Sequence, residues 1–531
     1  MWLAAMSVLS AGLATLSLPS FDLGFLGWIA LAPLLFALRQ RGPLAGAFLG
    51  WLFGCAFGAT SFFWINSIPD INPLRFALLV GAFSVYYLVF GFLYSFASRP
   101  LRPWLIVVAP ALWVAMEYAR GSLSFLAYPW NFLAHSQHDA LAVIQIADVT
   151  GAYGVSFLLV MASQLVSELP EIRSAMRRSR VAVAAFGLAL GATLLYGWHK
   201  LGDPAENARV RVAIVQANVA AHAKMSADEQ IRHLGAYAEL TLEAVTQQPD
   251  LVVWPSSSLP APISFWMIRL YVSDLASRAG VPILVGGAGG DKFAPARAGE
   301  LPYSNSEILV SPKGALEGQY NKVHLTPFTE HVPLQGLVTW PRWMTTLEKS
   351  FVAGDRYTLF HVGAGRFGAP ICWENSFPDL FRRFVLGGAN FMVSATNESV
   401  FGATSGPHQT LAMNAFRAVE NRVAIARAAT TGVSAFIDSR GRIVAKVADA
   451  RGADLFVSGL LTWDVPLSSE RSFYTSYGDV FAQAMAALAA FVFILCAWLR
   501  RRRREIGPTA IPLRSGSGAR PGGEGRAAAR R

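Results

Sequence analysis

Cys372 is the residue whose position in the chain most clearly suggests chemistry. The chain has 3 cysteines, and the other two, Cys55 and Cys496, lie in apolar runs that are typical of membrane spans. A single thiol in a long polar segment, which the flanking apolar helices place outside the cytoplasm, favours a nucleophile over a disulfide. The alternative is a small hydrophobic residue buried in a strand, and the cysteine count alone does not separate the two interpretations.

A thiol that attacks a carbonyl group needs a proton acceptor and a cation that steadies the negative charge on oxygen. The candidates come from three loops that leave strand ends, at residues 250–256, 320–330 and 370–374. Lys322 suits the cationic role, although its loop alone is more typical of an exposed surface lysine. Glu330 and Glu374 are the carboxylates in these loops. Glu374 follows Cys372 by two residues, so the two side chains would share one face if the segment were a strand.

The composition is that of a membrane protein. Of the 531 residues, 53% are hydrophobic and only 15% are charged, and the mean hydropathy is +0.38. Apolar stretches predict about eight spans, with seven helices forming a transmembrane bundle over residues 1–200 and one C-terminal transmembrane helix. The predicted spans are residues 2–18, 23–38, 44–66, 74–97, 103–118, 151–167, 181–198 and 478–499.

The positive charges favour one orientation, because Lys and Arg near the ends of spans resist translocation. With both termini in the cytoplasm, four basic clusters face that side and residues 199–477 lie outside it. The clusters are Arg39 with Arg41, Arg99 with Arg102, Arg173 to Arg180, and Arg500 to Arg504. The net charge of +11 is then anchoring charge beside anionic lipid rather than a nucleic-acid surface. Residues 500–531 are expected to form a basic, disordered cytoplasmic tail.

Short β-rich runs alternate with amphipathic helical patterns in the outer segment, which predicts an α/β domain over residues 205–465. Strands are expected at 210–218, 251–254, 281–286, 306–311, 367–371, 391–395, 423–428 and 433–438, and helices at 227–247, 266–278 and 409–420. Turns at 312–314 and 439–441 each separate two strand-like runs, as in a hairpin. The 9 His have no metal-ligand spacing, and no Gly-rich phosphate loop occurs, so neither a metal nor another cofactor is expected.

Several sequence blocks follow one another in an order that resembles a known family. They are YPW at 128–130, SQ at 136–137, GAYGVSF at 151–157, YNKVHLTPFTEHVP at 320–333, ICWENSF at 371–377, TN with FG at 396–402, AFRAVENR at 415–422 and TTGVSAFIDSRGRI at 430–443. In these blocks the chain resembles the bacterial apolipoprotein N-acyltransferases. Members of that family combine a membrane bundle with a periplasmic domain of the nitrilase, or carbon–nitrogen hydrolase, superfamily.

The resemblance implies a nitrilase-like αββα sandwich in a monomeric, cofactor-free acyltransferase of the bacterial inner membrane. Members use a Glu–Lys–Cys triad to take an acyl chain from a phospholipid as a cysteine thioester. They then pass it to the N-terminal amine of a diacylglyceryl-modified apolipoprotein. By position, Cys372 corresponds to the nucleophile and Lys322 to the triad lysine. Three further residues fall on positions that line the site, namely Glu330, Trp373 and Glu374.

The triad glutamate is the exception, because Ser256 stands where the family pattern WPE has its Glu. A serine hydroxyl cannot take a proton from a thiol near neutral pH, and losing the base costs on the order of 10² to 10⁴ in rate. Two interpretations remain open. Either another group, such as Glu374 or the lysine itself, sustains acyl transfer, or the chain is a degenerate paralogue that binds lipid or lipoprotein without efficient catalysis. A hydrolytic nitrilase or amidase is a third option, which the membrane bundle disfavours.

Overall fold

The computed structural model consists of a helical bundle and an α/β domain. It describes residues 1–69, 71–123, 127–169, 176–203, 208–219, 225–289, 303–334, 336–341, 343–345, 347 and 350–505. The helices are α1 (Trp2–Leu16), α2 (Ala32–Arg39), α3 (Pro43–Ser61), α4 (Pro73–Ser98), α5 (Leu105–Ser122), α6 (Leu141–Ile144), α7 (Ala147–Thr150), α8 (Ala152–Glu168), α9 (Met176–Leu201), α10 (Ala227–Val245), α11 (Trp266–Ala279), α12 (Pro378–Leu386), α13 (Gly406–Asn421), α14 (Phe473–Tyr477) and α15 (Val480–Glu505).

The bundle consists of α1 to α9 and α15, and small residues let two of its helices approach closely. A Cβ atom on Gly50 of α3 would lie 2.1 Å from the backbone oxygen of Tyr87 on α4. A Cβ atom on Gly54 would lie 2.7 Å from Cα of Ser84. Backbones that approach this closely are typical of helix packing in lipid, where the contact cannot rely on the hydrophobic effect.

Four helices in the described residues are long and apolar enough to cross a membrane: Pro43–Ser61, Pro73–Ser98, Arg180–Leu201 and Val480–Arg502. The predicted number of about eight spans is therefore wrong, although helical segments occur at all the predicted positions. Helices α1 and α8 have 15 and 17 residues. At about 1.5 Å per residue they are shorter than a hydrocarbon core of about 30 Å. Helix α5 carries the buried Glu117 and Arg120, and the predicted span at 23–38 is divided between a 3₁₀ turn, Gly24–Trp28, and α2.

The last helix also extends further than the sequence predicted. Helix α15 continues to Glu505, so residues 500–505 are helical rather than part of a disordered tail. The rest of the predicted tail, residues 506–531, lies outside the described residues.

The α/β domain is built on two six-stranded sheets, ordered β12-β1-β2-β3-β4-β5 and β11-β10-β9-β8-β7-β6. The strands are β1 (Arg209–Gln216), β2 (Leu251–Val253), β3 (Ile283–Gly289), β4 (Ser304–Val310), β5 (Leu316–Asn321), β6 (Phe360–Val362), β7 (Gly365–Gly368), β8 (Phe391–Thr396), β9 (Ile425–Ala429), β10 (Ala435–Ile437), β11 (Ile443–Lys446) and β12 (Gly459–Pro466).

The sheets pack face to face with helices on their outer sides, so the predicted αββα sandwich is present. Strand β1 packs on β9, and the inner core includes Val212, Leu284 and Phe367. Helices α10 and α11 cover the first sheet through a separate apolar core, while α12 and α13 flank the second. Side-chain alternation along each strand thus assigns every second residue to the space between the sheets.

The eight predicted strands correspond to β1–β4 and β7–β10, whereas β5, β6, β11 and β12 were not among them. All four unpredicted strands are the outermost strands of their sheets. The two predicted turns do join antiparallel pairs, β4 with β5 and β10 with β11. The three predicted helices of the domain are α10, α11 and α13.

Helix α13 joins the α/β domain to the bundle through buried polar contacts. Gln409 Oε1 accepts hydrogen bonds from the ring nitrogens of Trp64 at 3.0 Å and Trp130 at 2.8 Å. At the other end of the helix, Arg422 donates to Asp148 Oδ2 at 2.7 Å and to Gln145 Oε1 at 2.6 Å. Both members of the Arg422–Asp148 ion pair have side chains that are only 4% exposed. The orientation of the domain on the bundle therefore depends on fully desolvated groups.

Breaking this ion pair should destabilise the protein. Arg422→Met leaves the Asp148 carboxylate buried without its cation, and we expect a loss of about 3–5 kcal/mol, seen as a lower Tm in detergent. Asp148→Asn added to Arg422→Met should recover part of the loss, because it removes the unpaired charge.

The matched control is Arg442→Met, since Arg442 pairs with Asp438 and its side chain is 54% exposed. That variant should lose less than about 1 kcal/mol. Equal Tm values for the two arginine variants would contradict the role of α13 described above.

Candidate active site

Cys372 lies in a tight turn at the end of the second sheet. Strand β7 is followed by Ile371, which bridges to Ala395 of β8, and a 3₁₀ turn then runs over Cys372–Ser376. Cys372 has a φ of 50°, which is unusual for a residue with a side chain. Its thiol is half-buried, and Sγ lies 3.7 Å from the carbonyl oxygen of Asn397. Strained backbone of this kind concentrates at functional sites, where it fixes the direction of a side chain.

Lys322 directly follows β5 and is buried, so it is not the exposed surface lysine that its loop suggested. Its Nζ atom donates to Glu330 Oε2 at 2.6 Å and to Thr326 Oγ1 at 3.2 Å. Burial disfavours the ammonium form, but the charges of the nearby carboxylates, first of all Glu330, outweigh that cost. The pKa of Lys322 therefore lies above its ordinary value. Lys322 is therefore a buried cation.

Glu330 holds the lysine in place. Its carboxylate also accepts from the Thr326 backbone N–H at 2.7 Å and from Asn305 Nδ2 at 2.8 Å. Burial alone would raise its pKa, but the Lys322 ammonium and these hydrogen bonds lower the pKa of Glu330 below its ordinary value. The structure therefore places Glu330, which was predicted to line the site, directly against Lys322.

Glu374 is not on a common strand face with Cys372, because the turn interrupts the strand between them. Its carboxylate is buried and accepts four hydrogen bonds at 2.8–3.0 Å. The donors are the backbone N–H groups of Ile371, Val323 and His324 and the Tyr320 hydroxyl. Burial raises the pKa of Glu374, and Lys322 and the hydrogen bonds only partly offset it. Glu374 thus ties the Cys372 turn to the loop that follows Lys322.

Ser256 lies just after β2, beside β3. It is buried, and its Oγ has no hydrogen-bond partner among the described residues. A Cβ atom on Gly286 of β3 would lie 2.5 Å from Cα of Ser256. The position that should hold the triad base is therefore an enclosed site with a short, unpartnered side chain.

Trp373 faces a cleft of about 770 Å³ at the junction of the bundle and the α/β domain. Its ring lies 5.8 Å from that of Trp130 and 5.2 Å from that of Tyr128. The cleft is lined by residues of both parts, including Gly121, Tyr153 and Asp479 from the bundle side and Val323, Phe351 and Trp373 from the domain. Val323 and Trp373, which directly follow Lys322 and Cys372 in the chain, both line this cleft.

One acidic residue near these groups was not a candidate on the sequence. Glu307 of β4 is fully buried, and neither carboxylate oxygen has a hydrogen-bond partner among the described residues. Burial, and then the charge of Glu374, hold the pKa of Glu307 well above its ordinary value. The sequence signal that could have identified Glu307 is a charged residue inside the predicted strand at 306–311.

Sequence comparisons agree with this architecture. Residues 10–165 match the model of the apolipoprotein N-acyltransferase N-terminal domain, and residues 211–474 match carbon-nitrogen hydrolase. A protein named apolipoprotein N-acyltransferase from Geobacter metallireducens is 35% identical over 514 residues, which cover 94% of this chain and 96% of the relative. The chain belongs to the apolipoprotein N-acyltransferase family. The resemblance predicted from the sequence blocks is confirmed.

Further relatives have the same name or the same superfamily. An apolipoprotein N-acyltransferase from Chlorobaculum tepidum is 29% identical over 528 residues, covering 94% of this chain and 97% of the relative. Among solved structures, an amidase of the nitrilase superfamily from Nesterenkonia AN1 is 18% identical, with a TM-score of 0.37, and covers 53% of this chain and 95% of its own. Saccharomyces cerevisiae Nit3 is 19% identical, with a TM-score of 0.37 and coverage of 50% and 92%. The roles of Cys372, Lys322 and Ser256 stay predictions.

The Lys322–Glu330 pair should make stability depend on pH. Because the pKa of Glu330 is lowered in the folded state, its contribution is complete above the ordinary carboxyl pKa of about 4.3 and is lost as the pH falls toward the folded value. We expect Tm to fall more steeply between pH 5 and pH 3 in the native protein than in Glu330→Gln. Glu243→Gln is the control, since Glu243 is exposed and its variant should follow the native curve. Parallel curves for native protein and Glu330→Gln would contradict the assignment.

Proposed function

We propose that the protein transfers an acyl chain from a phospholipid to the N-terminal amine of a diacylglyceryl-modified apolipoprotein, through a thioester on Cys372. The observation that carries this proposal is the pairing of a thiol on a positive-φ turn with a buried, permanently charged lysine. The residues that follow them, Trp373 and Val323, line a cleft that the bundle and the domain share. Membership of the apolipoprotein N-acyltransferase family supports the same reaction.

In the first half-reaction the Cys372 sulfur attacks the ester carbonyl of the phospholipid. The C–S bond forms, the ester C–O bond breaks and a lysophospholipid leaves with the proton that the thiol gave up. The Lys322 ammonium stabilises the thiolate and the negative charge that develops on the carbonyl oxygen. Glu330 and Thr326 hold that ammonium in one direction by hydrogen bonds of 2.6 and 3.2 Å.

In the second half-reaction the apolipoprotein amine attacks the thioester. A C–N bond forms, the C–S bond breaks and the amine proton returns to the sulfur. The cleft suits an ammonium group before it is deprotonated, because Asp379 and Asp479 both line it. The Trp373 ring, which contacts the rings of Trp130 and Tyr128, supplies an apolar surface for acyl chains beside the nucleophile.

The position of the cleft also suits two substrates that are embedded in or anchored to a membrane. Its walls include Gly121 and Ser122 at the end of α5, and Asp479, which directly precedes α15, one of the helices able to cross a bilayer. A lipid or a lipid-anchored protein can then reach the thiol without leaving the membrane surface. We infer a monomeric inner-membrane enzyme with its α/β domain in the periplasm.

The thioester is directly testable. After incubation with phospholipid, intact-mass analysis should reveal an acyl adduct that neutral hydroxylamine removes, and Cys372→Ala should lack it. Cys55→Ala is the matched control, because Cys55 is a free cysteine of α3 and its variant should acylate like the native protein. An adduct that persists in Cys372→Ala would refute the nucleophile.

Acyl transfer itself is tested by complementing a strain depleted of its own transferase. Mass spectrometry of a lipoprotein N-terminus should then detect three acyl chains rather than two. Phospholipid binding with neither an adduct nor a third chain would instead favour a paralogue that binds without catalysis.

The inferred topology makes a separate prediction. Reporter fusions after Arg41, Arg102 and Arg504 should give cytoplasmic signals, and fusions after Asp203 and Leu467 should give periplasmic signals, because basic clusters remain on the cytoplasmic side. A cytoplasmic signal from the fusion after Leu467 would reverse the orientation.

A further inference from the structure

We propose that Glu307 supplies the proton acceptor that Ser256 cannot, so that the carboxylate of the triad has moved from the end of β2 to β4. This inference rests on the proposed thioester function and names the group that takes the proton in it. It also answers why the chain keeps the thiol and the lysine although the residue at 256 is a serine.

The strand register aims Glu307 at the same space as the reactive lysine. Glu307 pairs with Tyr320 on β5 and with Gly286 on β3, and paired residues share one face of a sheet. The Tyr320 hydroxyl bonds to Glu374 Oε1 at 2.8 Å, between the sheets. Lys322 follows Tyr320 by two residues, the spacing that returns a side chain to the same face. Glu307 therefore points into the space between the sheets, where the charge of Glu374 acts on it.

The Glu307 carboxylate lies beside the backbone of residue 256. A Cβ atom placed on Gly286 would meet Ser256 Cα at 2.5 Å and Glu307 Oε1 at 2.7 Å. Because Ser256 Cα and Glu307 Oε1 lie within 2.7 Å of the same position, a glutamate side chain attached at position 256 would reach Glu307 Oε1. Two residues make this arrangement possible. Gly286 has no side chain to fill the space that Oε1 occupies, and the side chain of Ser256 is too short to compete for it.

Glu307 is also available for proton transfer, unlike the other carboxylates between the sheets. The oxygens of Glu330 are bonded to Lys322, Thr326 and Asn305. Those of Glu374 accept four hydrogen bonds. Within the described part of the chain, Glu307 has both oxygens buried and unbonded.

A buried carboxyl group without partners is costly, and natural proteins keep few of them outside functional sites. Burial raises the pKa of Glu307, and a carboxylate with a raised pKa accepts a proton more strongly once it is ionised. The position of Glu307 and the absence of hydrogen bonds to its carboxyl group thus both support a role as proton acceptor.

The proton movements balance in both half-reactions. When the Cys372 sulfur bonds to the ester carbon, Glu307 takes the thiol proton and passes it to the departing lysophospholipid oxygen. When the amine attacks the thioester, Glu307 takes the amine proton and returns it to the Cys372 sulfur as the C–S bond breaks. The carboxylate is regenerated each time, and no further reactant is needed.

The test combines Glu307→Gln with the double variant Ser256→Glu/Glu307→Gln. Glutamine keeps the shape of the side chain but cannot take a proton, so thioester formation should slow by on the order of 10² to 10⁴. Tm should stay at or above the native value, since a buried group without partners becomes neutral. The double variant restores a carboxylate from the position of the family pattern and should regain at least about tenfold of the lost rate.

A second readout needs no phospholipid. Iodoacetamide alkylation of Cys372, followed by peptide mass spectrometry with Cys372→Ala as background, should slow at least about tenfold in Glu307→Gln, because only the thiolate is alkylated efficiently. This readout separates the two proposals. If Cys372 is alkylated at least about tenfold faster in the native protein than in Glu307→Gln, but the native protein never forms a thioester, the acyl transfer is refuted and the role of Glu307 is not. Alkylation and acylation of Glu307→Gln within threefold of native would overturn the role of Glu307. So would a loss of both rates that is accompanied by a lower Tm and is not recovered in the double variant.

Discussion

The seating of α13 in the bundle is the constraint on which the geometry of the site depends. Gln409 Oε1 accepts from Trp64 and Trp130, while its Nε2 donates to the backbone oxygens of Pro19 and Ser61 at 3.2 and 3.1 Å. Trp130 in turn stacks on Trp373, the residue after Cys372. One amide side chain therefore connects the bundle to the turn that carries the thiol. Because these groups are buried, the alternative to bonding with each other is not water but an unsatisfied polar atom.

The ionisable side chains between the sheets include more acidic groups than basic ones, and each acidic group has different partners. Lys322 contributes a positive charge, and Glu330, Glu374 and Glu307 contribute three carboxyl groups. Glu330 is neutralised by direct contact, Glu374 by hydrogen bonds from backbone N–H groups and a hydroxyl, and Glu307 by neither. Desolvation then raises the pKa of Glu307 and Glu374 but is outweighed at Glu330. A single low-dielectric space thus holds one fixed ion pair beside a carboxyl group that can change its protonation state.

The sequence predicted the interior of the sandwich better than its margins. The eight predicted strands have neighbours on both sides or strongly apolar sequences, such as VVW at 252–254 and FMVSA at 391–395. The four unpredicted strands have one neighbour each, and an edge strand such as LEGQYN at 316–321 is too polar for an apolar pattern to identify it. The span count was too high because apolar composition does not measure helix length. Turns within 2–38 and buried charges on α5 are features of the folded chain.

The site was predictable where one motif carried both partners and not where sheet register was needed. Lys322 and Glu330 lie in one block, so their proximity follows from a single loop. Glu374 would share a face with Cys372 only in a strand, and the backbone turns there at positive φ. Glu307 and Ser256 come together only through the pairing of β2, β3 and β4. Such lateral neighbours depend on strand order, which a single sequence does not contain.

The close approach of Glu307 to the backbone of residue 256 restricts the path by which such a sequence can evolve. A chain that loses the glutamate at position 256 before gaining Glu307 passes through a state with no base. A chain that gains Glu307 first holds two carboxylates in one buried space, where like charges make them share a proton and one base survives. The second order keeps catalysis but lowers stability, and proteins tolerate a loss of stability more readily than a loss of catalysis. With Glu307 as the proposed base, positions 256 and 307 are epistatic, because losing the carboxylate at one position removes the base only when the other position has none.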